Sequence, residues 1–95
     1  MPILQIEHRV RDFDAWKQAF DADPIGREQG GVRGYRVYRS IDDPNYVAVD
    51  LEFDSSSEAE DFRAALRSLW GRAGGQLGLE SPQARIVETV ESREY

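Results

Sequence analysis

The sequence contains no cysteine and only one histidine, His8, and both scarcities restrict the chemistry open to the chain. Without cysteine, the chain can form neither a disulfide nor a thiolate metal site. One imidazole cannot supply the several histidine ligands of a His-rich metal centre within one subunit. We therefore predict no metal site, and we predict no cofactor.

Long apolar runs are also absent from the sequence. No segment approaches the ~20 consecutive apolar residues that a membrane-spanning helix needs. The first eight residues, MPILQIEH, lack the basic region and long apolar stretch of a signal peptide. These absences predict a cytoplasmic protein that does not enter a membrane.

An excess of positive charge is missing as well, because the net charge is −6. The arginines lie among carboxylates, as Arg9 and Arg11 do beside Glu7 and Asp12. Nucleic-acid binding normally requires a basic patch, and so does binding to an anionic membrane surface. The charge distribution therefore argues against nucleic acid and against a membrane as partners.

The length of 95 residues predicts a single domain over residues 1–95. A chain of this size buries roughly 60% of its unfolded surface, which leaves little stability to spare. With 40% hydrophobic residues the core must be small. A partner subunit covering one face of a sheet would add buried area, so a homodimer is a reasonable expectation.

Apolar residues alternate at the N-terminus and predict a first strand over residues 2–10, with His8 on its apolar face. Asp12 suits the N-cap of a following helix, because its carboxylate can accept from first-turn amides. That helix should end near residues 22–23, since the residue before Pro24 is pushed out of helical conformation. The aromatic residues of the helix recur at helical spacing: Phe13, Trp16 and Phe20.

Further strands are predicted over residues 32–41, 46–53 and 84–91, and the turn at residues 42–45 joins the first two as a hairpin. A second helix should begin with the capping box Ser55–Glu58 and end at Gly74 and Gly75. The order β-α-β-β-α-β is the ferredoxin-like arrangement. It places two helices on one face of a four-stranded antiparallel sheet.

The alternation also assigns strand residues to the two faces of this sheet. The helix-facing side should carry Leu4, Ile6, His8, Val10, Tyr35, Val37, Val47, Val49, Leu51 and Phe53. The opposite face should carry Ile3, Gln5, Glu7, Arg9, Arg36, Tyr38, Tyr46, Ala48, Asp50 and Glu52. Charges of both signs among tyrosines are typical of a solvated face, and equally of a symmetric interface.

Two segments carry a family resemblance: HRVRDFDAWKQAFD at residues 8–21 and YRVYRSIDDPNYVAVDLEFD at residues 35–54. With the element order and length, they resemble the dimeric α/β-barrel superfamily. Within it they resemble small bacterial proteins grouped near antibiotic-biosynthesis monooxygenases and polyketide cyclases. The resemblance implies a homodimer whose two sheets pack face to face, with a pocket between sheet and helices in each subunit.

Members of this superfamily include cofactor-free oxygenases, haem-degrading enzymes, lactone isomerases and cyclases, so the fold alone leaves the reaction open. The haem-degrading branch resembles this chain least. It uses a histidine on the second helix as axial ligand, whereas residues 56–72 contain none.

Two candidate catalytic residues follow from the predicted pocket. His8 faces the helices, and a neutral imidazole can act as a general base. Tyr35 can donate a hydrogen bond to a carbonyl or phenolate of a ligand. Each residue also has a structural interpretation, His8 as a buried histidine satisfied by a neighbour and Tyr35 as an ordinary core aromatic.

Six further residues are candidates for ligand binding. Arg27 and Arg39 can anchor a carboxylate or enolate at the pocket mouth, although arginines near turns are commonly solvated. Apolar side chains should line the space between helices and sheet, as core or as pocket wall: Trp16, Phe20, Phe62 and Leu66. Trp70 should cover the edge of the core or contact a partner.

The sequence thus favours a homodimer that binds a small aromatic or polyketide-like molecule in an apolar pocket. The corresponding activity is cofactor-independent oxygenation, isomerisation or cyclisation, with His8 as base and Tyr35 or Arg39 stabilising the oxyanion. One alternative is a non-catalytic dimeric ligand-binding or stress-related module with a structural His8. Another is a monomer with a solvated sheet face.

Overall fold

Six elements follow one another in a computed structural model that describes residues 1–73 and 78–95. They are β1 (Pro2–Arg9), α1 (Phe13–Asp21), β2 (Val32–Arg39), β3 (Tyr46–Phe53), α2 (Ser56–Leu77) and β4 (Glu80–Glu88). The predicted helix end at Gly74 and Gly75 lies outside the described residues. Among those residues, neither helix is both long and apolar enough to cross a membrane.

The four strands form one antiparallel sheet in the order β2-β3-β1-β4. The two central strands are β1 and β3, which pair so that Leu4 stands opposite Leu51 and His8 opposite Val47. With two helices connecting these strands, the chain has the predicted ferredoxin-like fold.

The helix-facing side of the sheet holds the core. The eight residues predicted there from β1 and β3, and from the position after β1, are all buried: Leu4, Ile6, His8, Val10, Val47, Val49, Leu51 and Phe53. Tyr35 and Val37 stand opposite Leu51 and Val49, so they share this face, as predicted. Because β2 is an edge strand, Tyr35 remains 48% exposed.

The opposite face of the sheet also has the predicted residues. Gln5 and Arg36 both stand opposite Asp50, and Glu7 and Tyr38 both stand opposite Ala48. Directly opposed residues point to the same side of a sheet. No described helix packs on this side, so the polar and tyrosine side chains form an open face.

The junction between β1 and α1 is fixed by capping contacts. Asp12 is the N-cap of α1, and its Oδ2 accepts a hydrogen bond from the Ala15 amide at 3.1 Å. Asn45, in the β2–β3 turn, accepts from Val10 through its carbonyl at 2.7 Å and from Phe13 through Oδ1 at 3.1 Å. The turn therefore anchors the start of the helix that carries Trp16 and Phe20 over the sheet.

The start of α2 confirms the predicted pairing of Ser55 with Glu58 at the helix N-terminus. Ser55 Oγ accepts from the Glu58 amide at 3.2 Å, and the hydroxyl donates to Glu58 Oε1 at 3.2 Å. This start sets the helix phase, which buries Ala59 and Phe62 against the sheet. Leu66 and Trp70 follow at intervals of four residues and pack against the same core.

The last strand begins and ends earlier in the sequence than predicted, because β4 spans Glu80–Glu88 rather than residues 84–91. The prediction treated Ser81 and Pro82 as part of a loop. However, β4 is an edge strand, where a proline costs no ladder hydrogen bond if its nitrogen faces outward. Ser81 adopts a left-handed φ of +48°, and the β1–β4 register shifts between Glu7 and Arg9.

Candidate functional site

A cavity of about 340 Å³ lies between the helices and the sheet. Its volume is within the range of roughly 300–1,000 Å³ that small-molecule sites occupy. The sheet, both helices and the loop after α1 contribute mainly apolar and aromatic side chains, including Ile6, Val49, Leu51, Trp16, Phe20, Ile25, Phe62, Leu66, Leu69 and Trp70. The charged or titratable side chains on the wall are those of His8, Asp23 and Arg27.

The aromatic part of the wall follows from helical spacing. On α1, Trp16 and Phe20 are one turn apart, and their ring centroids lie 5.3 Å from each other. On α2, Phe62, Leu66 and Trp70 lie on one stripe at the same spacing. The two stripes face the sheet, so the cavity is bounded by rings on both helices.

His8 lies inside this aromatic shell and is only 4% exposed. Its ring meets Trp16 edge to face at 5.5 Å between centroids and Trp70 at 6.4 Å. Nδ1 is buried and has no hydrogen-bond partner among the described residues. Buried polar atoms almost always have a partner, so an unpartnered Nδ1 is unusual, and His8 is one of the residues that line the cavity.

Burial also determines the charge of His8. Removal from water lowers the pKa of His8 from 6.5 to about 4, and a smaller contribution from its own backbone opposes the shift. Desolvation disfavours the charged imidazolium, which explains the direction. At neutral pH the residue is therefore an uncharged imidazole.

Arg27 supplies the positive charge of the cavity wall. Its guanidinium stacks on the rings of Phe20 and Tyr35, 4.1 Å and 4.9 Å from their centroids. Nη1 donates to the Phe20 carbonyl at 2.8 Å, and the side chain is 17% exposed. The loop reaches this position because Asp23 and Gly26 adopt left-handed φ values of +53° and +84°.

The structure brings together six of the eight residues predicted for the site: His8, Trp16, Phe20, Arg27, Phe62 and Leu66. Tyr35 is not among the cavity-lining residues. Its ring contacts Phe20 at 5.3 Å and lines a more open, polar recess beside Arg27. Phe20 and Arg27 therefore separate Tyr35 from the cavity.

Arg39 is also outside the cavity. It lies on the helix-facing side of β2 opposite Val47, where its guanidinium stacks on the Phe13 ring at 4.6 Å. The side chain is exposed. Of the two arginines predicted to anchor an anion, only Arg27 lines the cavity.

Trp70 packs partly buried against the core, in agreement with the predicted position at the core edge. It also lines the cavity and its ring contacts His8, which was not predicted from the sequence. The signal was present, because Trp70 continues the four-residue spacing of Phe62 and Leu66. Among the described residues, no three His, Asp or Glu side chains are grouped so that they could hold a metal ion.

No protein-family model matches the sequence, and no curated protein sequence does either. Solved structures do match, and they show a ferredoxin-like fold; several of them are described as antibiotic biosynthesis monooxygenases. This confirms the structural resemblance predicted from the two sequence segments.

Three of these structures show the extent of the likeness. A candidate antibiotic biosynthesis monooxygenase from Bordetella bronchiseptica is 20% identical over 95% of this chain and 98% of its own, with a TM-score of 0.73. SnoaB, a cofactor-independent oxygenase from Streptomyces nogalater, is 13% identical over 96% and 94%, with a TM-score of 0.72. A dimeric ferredoxin-like protein from an uncultured marine organism is 13% identical over 97% of both chains, with a TM-score of 0.66.

Proposed function

We propose that this protein binds a small aromatic or polyketide-like molecule in the cavity and oxygenates it without a cofactor, using His8 as the general base. The observation that carries the proposal is a neutral imidazole on the wall of a mainly apolar cavity of about 340 Å³. SnoaB, whose fold this chain shares, is a cofactor-independent oxygenase, which supports the same class of reaction.

The proposed reaction starts with a proton transfer from a carbon acid, and anthrone is a suitable test substrate. Its ring methylene gives a proton to the His8 imidazole, and the enolate transfers electrons to O₂ as a carbon–oxygen bond forms. The imidazolium returns the proton to the outer peroxide oxygen. The remaining hydrogen on that carbon then leaves as a proton while the O–O bond breaks; the proton and the released hydroxide form water, the product is anthraquinone, and one O₂ is consumed per molecule.

A lowered pKa is compatible with this role. In the free protein it keeps His8 in the unprotonated form that a base requires, across the whole neutral range. Once an enolate forms beside it, the opposite charge favours the imidazolium and raises its pKa. The apolar wall strengthens that attraction because it excludes water.

The same first proton transfer would begin an isomerisation or a cyclisation, and O₂ consumption separates these reactions from oxygenation. The alternative is a non-catalytic ligand-binding module in which His8 is structural. That alternative predicts binding in the same cavity without turnover. Binding and turnover are therefore measured separately.

Filling the cavity should weaken the binding of an aromatic probe. Ala19 lines the cavity from α1, so Ala19→Phe should place a ring in it and weaken 2-naphthol binding by about tenfold or more. Calorimetry, together with quenching of Trp16 and Trp70 fluorescence, measures this affinity.

The matched control is Ala64→Phe, because Ala64 is exposed on α2 and is not among the cavity-lining residues. This variant should bind the probe as the wild type does. If both variants bind 2-naphthol with unchanged affinity, the ligand site is not this cavity and the proposed function is wrong.

We also propose that two copies associate through the open face of the sheet. Arg36, Asp50 and Glu52 lie on that face and form no ion pair among the described residues, whereas Glu7 pairs with Arg85 there at 3.0 Å. Opposite charges left unpaired in one chain are suited to pairing across a two-fold axis. A ferredoxin-like protein of the same fold is dimeric, which supports a dimer for this chain.

Ala48→Arg tests the dimer, because Ala48 lies at the centre of the open face between Glu7 and Tyr38. In one chain the new arginine can pair with Glu7, whereas in a face-to-face dimer it would meet the partner sheet. Sedimentation should therefore show a shift from twice 10.8 kDa to 10.8 kDa, with an unchanged circular dichroism spectrum. Ala64→Arg is the control and should stay dimeric; a wild type that sediments as a monomer contradicts the proposal.

A further inference from the structure

We propose that the molecule bound in the cavity is an aromatic acid, and that Arg27 binds its carboxylate. This inference rests on the proposed function, because it assumes that the cavity is a ligand site. It adds the substrate class and the orientation: the carboxylate lies at the Arg27 end, and the reacting carbon lies at the His8 end.

The first argument is the position of Arg27. Its side chain is 17% exposed and lines an otherwise mainly apolar cavity, where an arginine normally requires compensating negative charge, and Asp23 supplies part of that charge through an ion pair at 3.5 Å. Stacking on Phe20 and Tyr35 holds the guanidinium plane in place. An arginine fixed in this way is ready to bind a carboxylate, since little side-chain entropy remains to be lost.

The second argument is the number of unused donors. Nη1 donates to the Phe20 carbonyl at 2.8 Å, while Nε and Nη2 make no hydrogen bond with any described residue. A guanidinium has five N–H donors, and it binds carboxylates through two parallel bonds. The geometry thus leaves donors for a planar anion.

Asp23 also lies at this end of the cavity, and its charge must be weighed. Its Oδ1 accepts from the Arg27 amide at 2.9 Å, while its distance to Arg27 Nη1 is 3.5 Å. The shorter contact is therefore the hydrogen bond from the Arg27 backbone amide to Asp23, which stabilises the loop. Asp23 lowers the net attraction for an anion without occupying the unused donors.

The orientation follows from a continuous row of contacts along the wall. The row starts at His8, which contacts Trp16 at 5.5 Å, and Trp16 contacts Phe20 at 5.3 Å. It ends at Arg27, which stacks on Phe20 at 4.1 Å. A flat aromatic molecule lying along this row would place one end at the imidazole and the other at the guanidinium.

The test compares two probes of nearly equal shape, naphthalene-2-carboxylate and naphthalene-2-carboxamide, on the wild-type protein at pH 7. The carboxylate should bind about tenfold or more tightly, because a charge-assisted bond to a half-buried arginine is stronger than a neutral one. Calorimetry gives both affinities. Equal affinities would overturn the inference, although the cavity would still be a ligand site.

Two variants then move the carboxylate affinity in opposite directions. Arg27→Gln should remove the preference, so that the acid binds no more tightly than the amide. Asp23→Asn should strengthen binding of the acid by about threefold while leaving the amide unchanged, in line with the modest strength of a partly exposed ion pair. Asparagine tolerates the left-handed φ of +53° at this position, so the loop should keep its shape.

The outcomes separate this inference from the proposed function. If neither probe binds the wild type, both fail. If both bind the wild type with equal affinity, only the role of Arg27 fails. Should Arg27→Gln fail to fold, the wild-type preference and the Asp23→Asn shift still decide the question.

Discussion

A variant in which glutamine replaces His8 is expected to lose turnover of anthrone by about 10²–10⁴-fold, the usual contribution of a general base. Gln can donate and accept hydrogen bonds but cannot take a proton at neutral pH. The cavity would still be lined by the rings of Trp16 and Trp70, which contact His8 edge to face and are not themselves replaced. Binding should therefore change much less than turnover.

Oxygen uptake and the absorbance of the quinone product measure this loss, with protein-free buffer as the baseline for spontaneous oxidation. The wild-type pH profile gives an independent signature. Because the pKa of His8 is about 4 in the free protein, kcat/KM should hold from pH 7 to near pH 5 and fall only towards pH 4. An acid limb near pH 6.5, or equal turnover by both proteins, contradicts the role of His8.

His8 could be assigned to the apolar side of β1 from sequence because a strand has a strict period of two. Its neighbours Leu4 and Ile6 on that face are buried, as the alternation required. The edge strand β4 was harder to place, since propensity argued against Ser81 and Pro82. Position at the edge of the sheet overrode that local preference.

The site was less predictable than the fold because it depends on the path of one loop. Sequence offered Arg27 and Arg39 as equivalent anchors. Left-handed backbone at Asp23 and Gly26 brings Arg27 to the cavity wall, while Arg39 stays on Phe13. Similarly, the register correctly assigns Tyr35 to the helix side, but it cannot show that Phe20 and Arg27 stand between Tyr35 and the cavity.

His8 and Arg27 differ in charge for a physical reason that also divides their proposed roles. The imidazole loses its charge on burial because its pKa in water is only moderate. A guanidinium keeps its charge at any physiological pH, so it requires aromatic stacking and a carbonyl acceptor instead. One cavity therefore contains a neutral base and a permanent cation, the pair needed to form an organic anion and to hold it.

The burial of His8 should also make the folded state sensitive to acid, and the wild type should lose about 3 kcal/mol of stability relative to His8→Gln between pH 7 and pH 4. In the unfolded chain His8 takes up a proton near pH 6.5, whereas in the folded protein it does so only near pH 4. Between these values the unfolded state binds more protons. Lowering the pH therefore favours unfolding.

Urea denaturation of both proteins at several pH values, at one fixed protein concentration, measures this difference. The carboxylates titrate in both proteins alike, so subtracting the two curves of unfolding free energy isolates His8. The difference should be constant above about pH 7, change through the window between 6.5 and 4, and level off below it. Parallel curves would mean that His8 titrates equally in the folded and unfolded chains, and the cavity around it would then be wet rather than apolar.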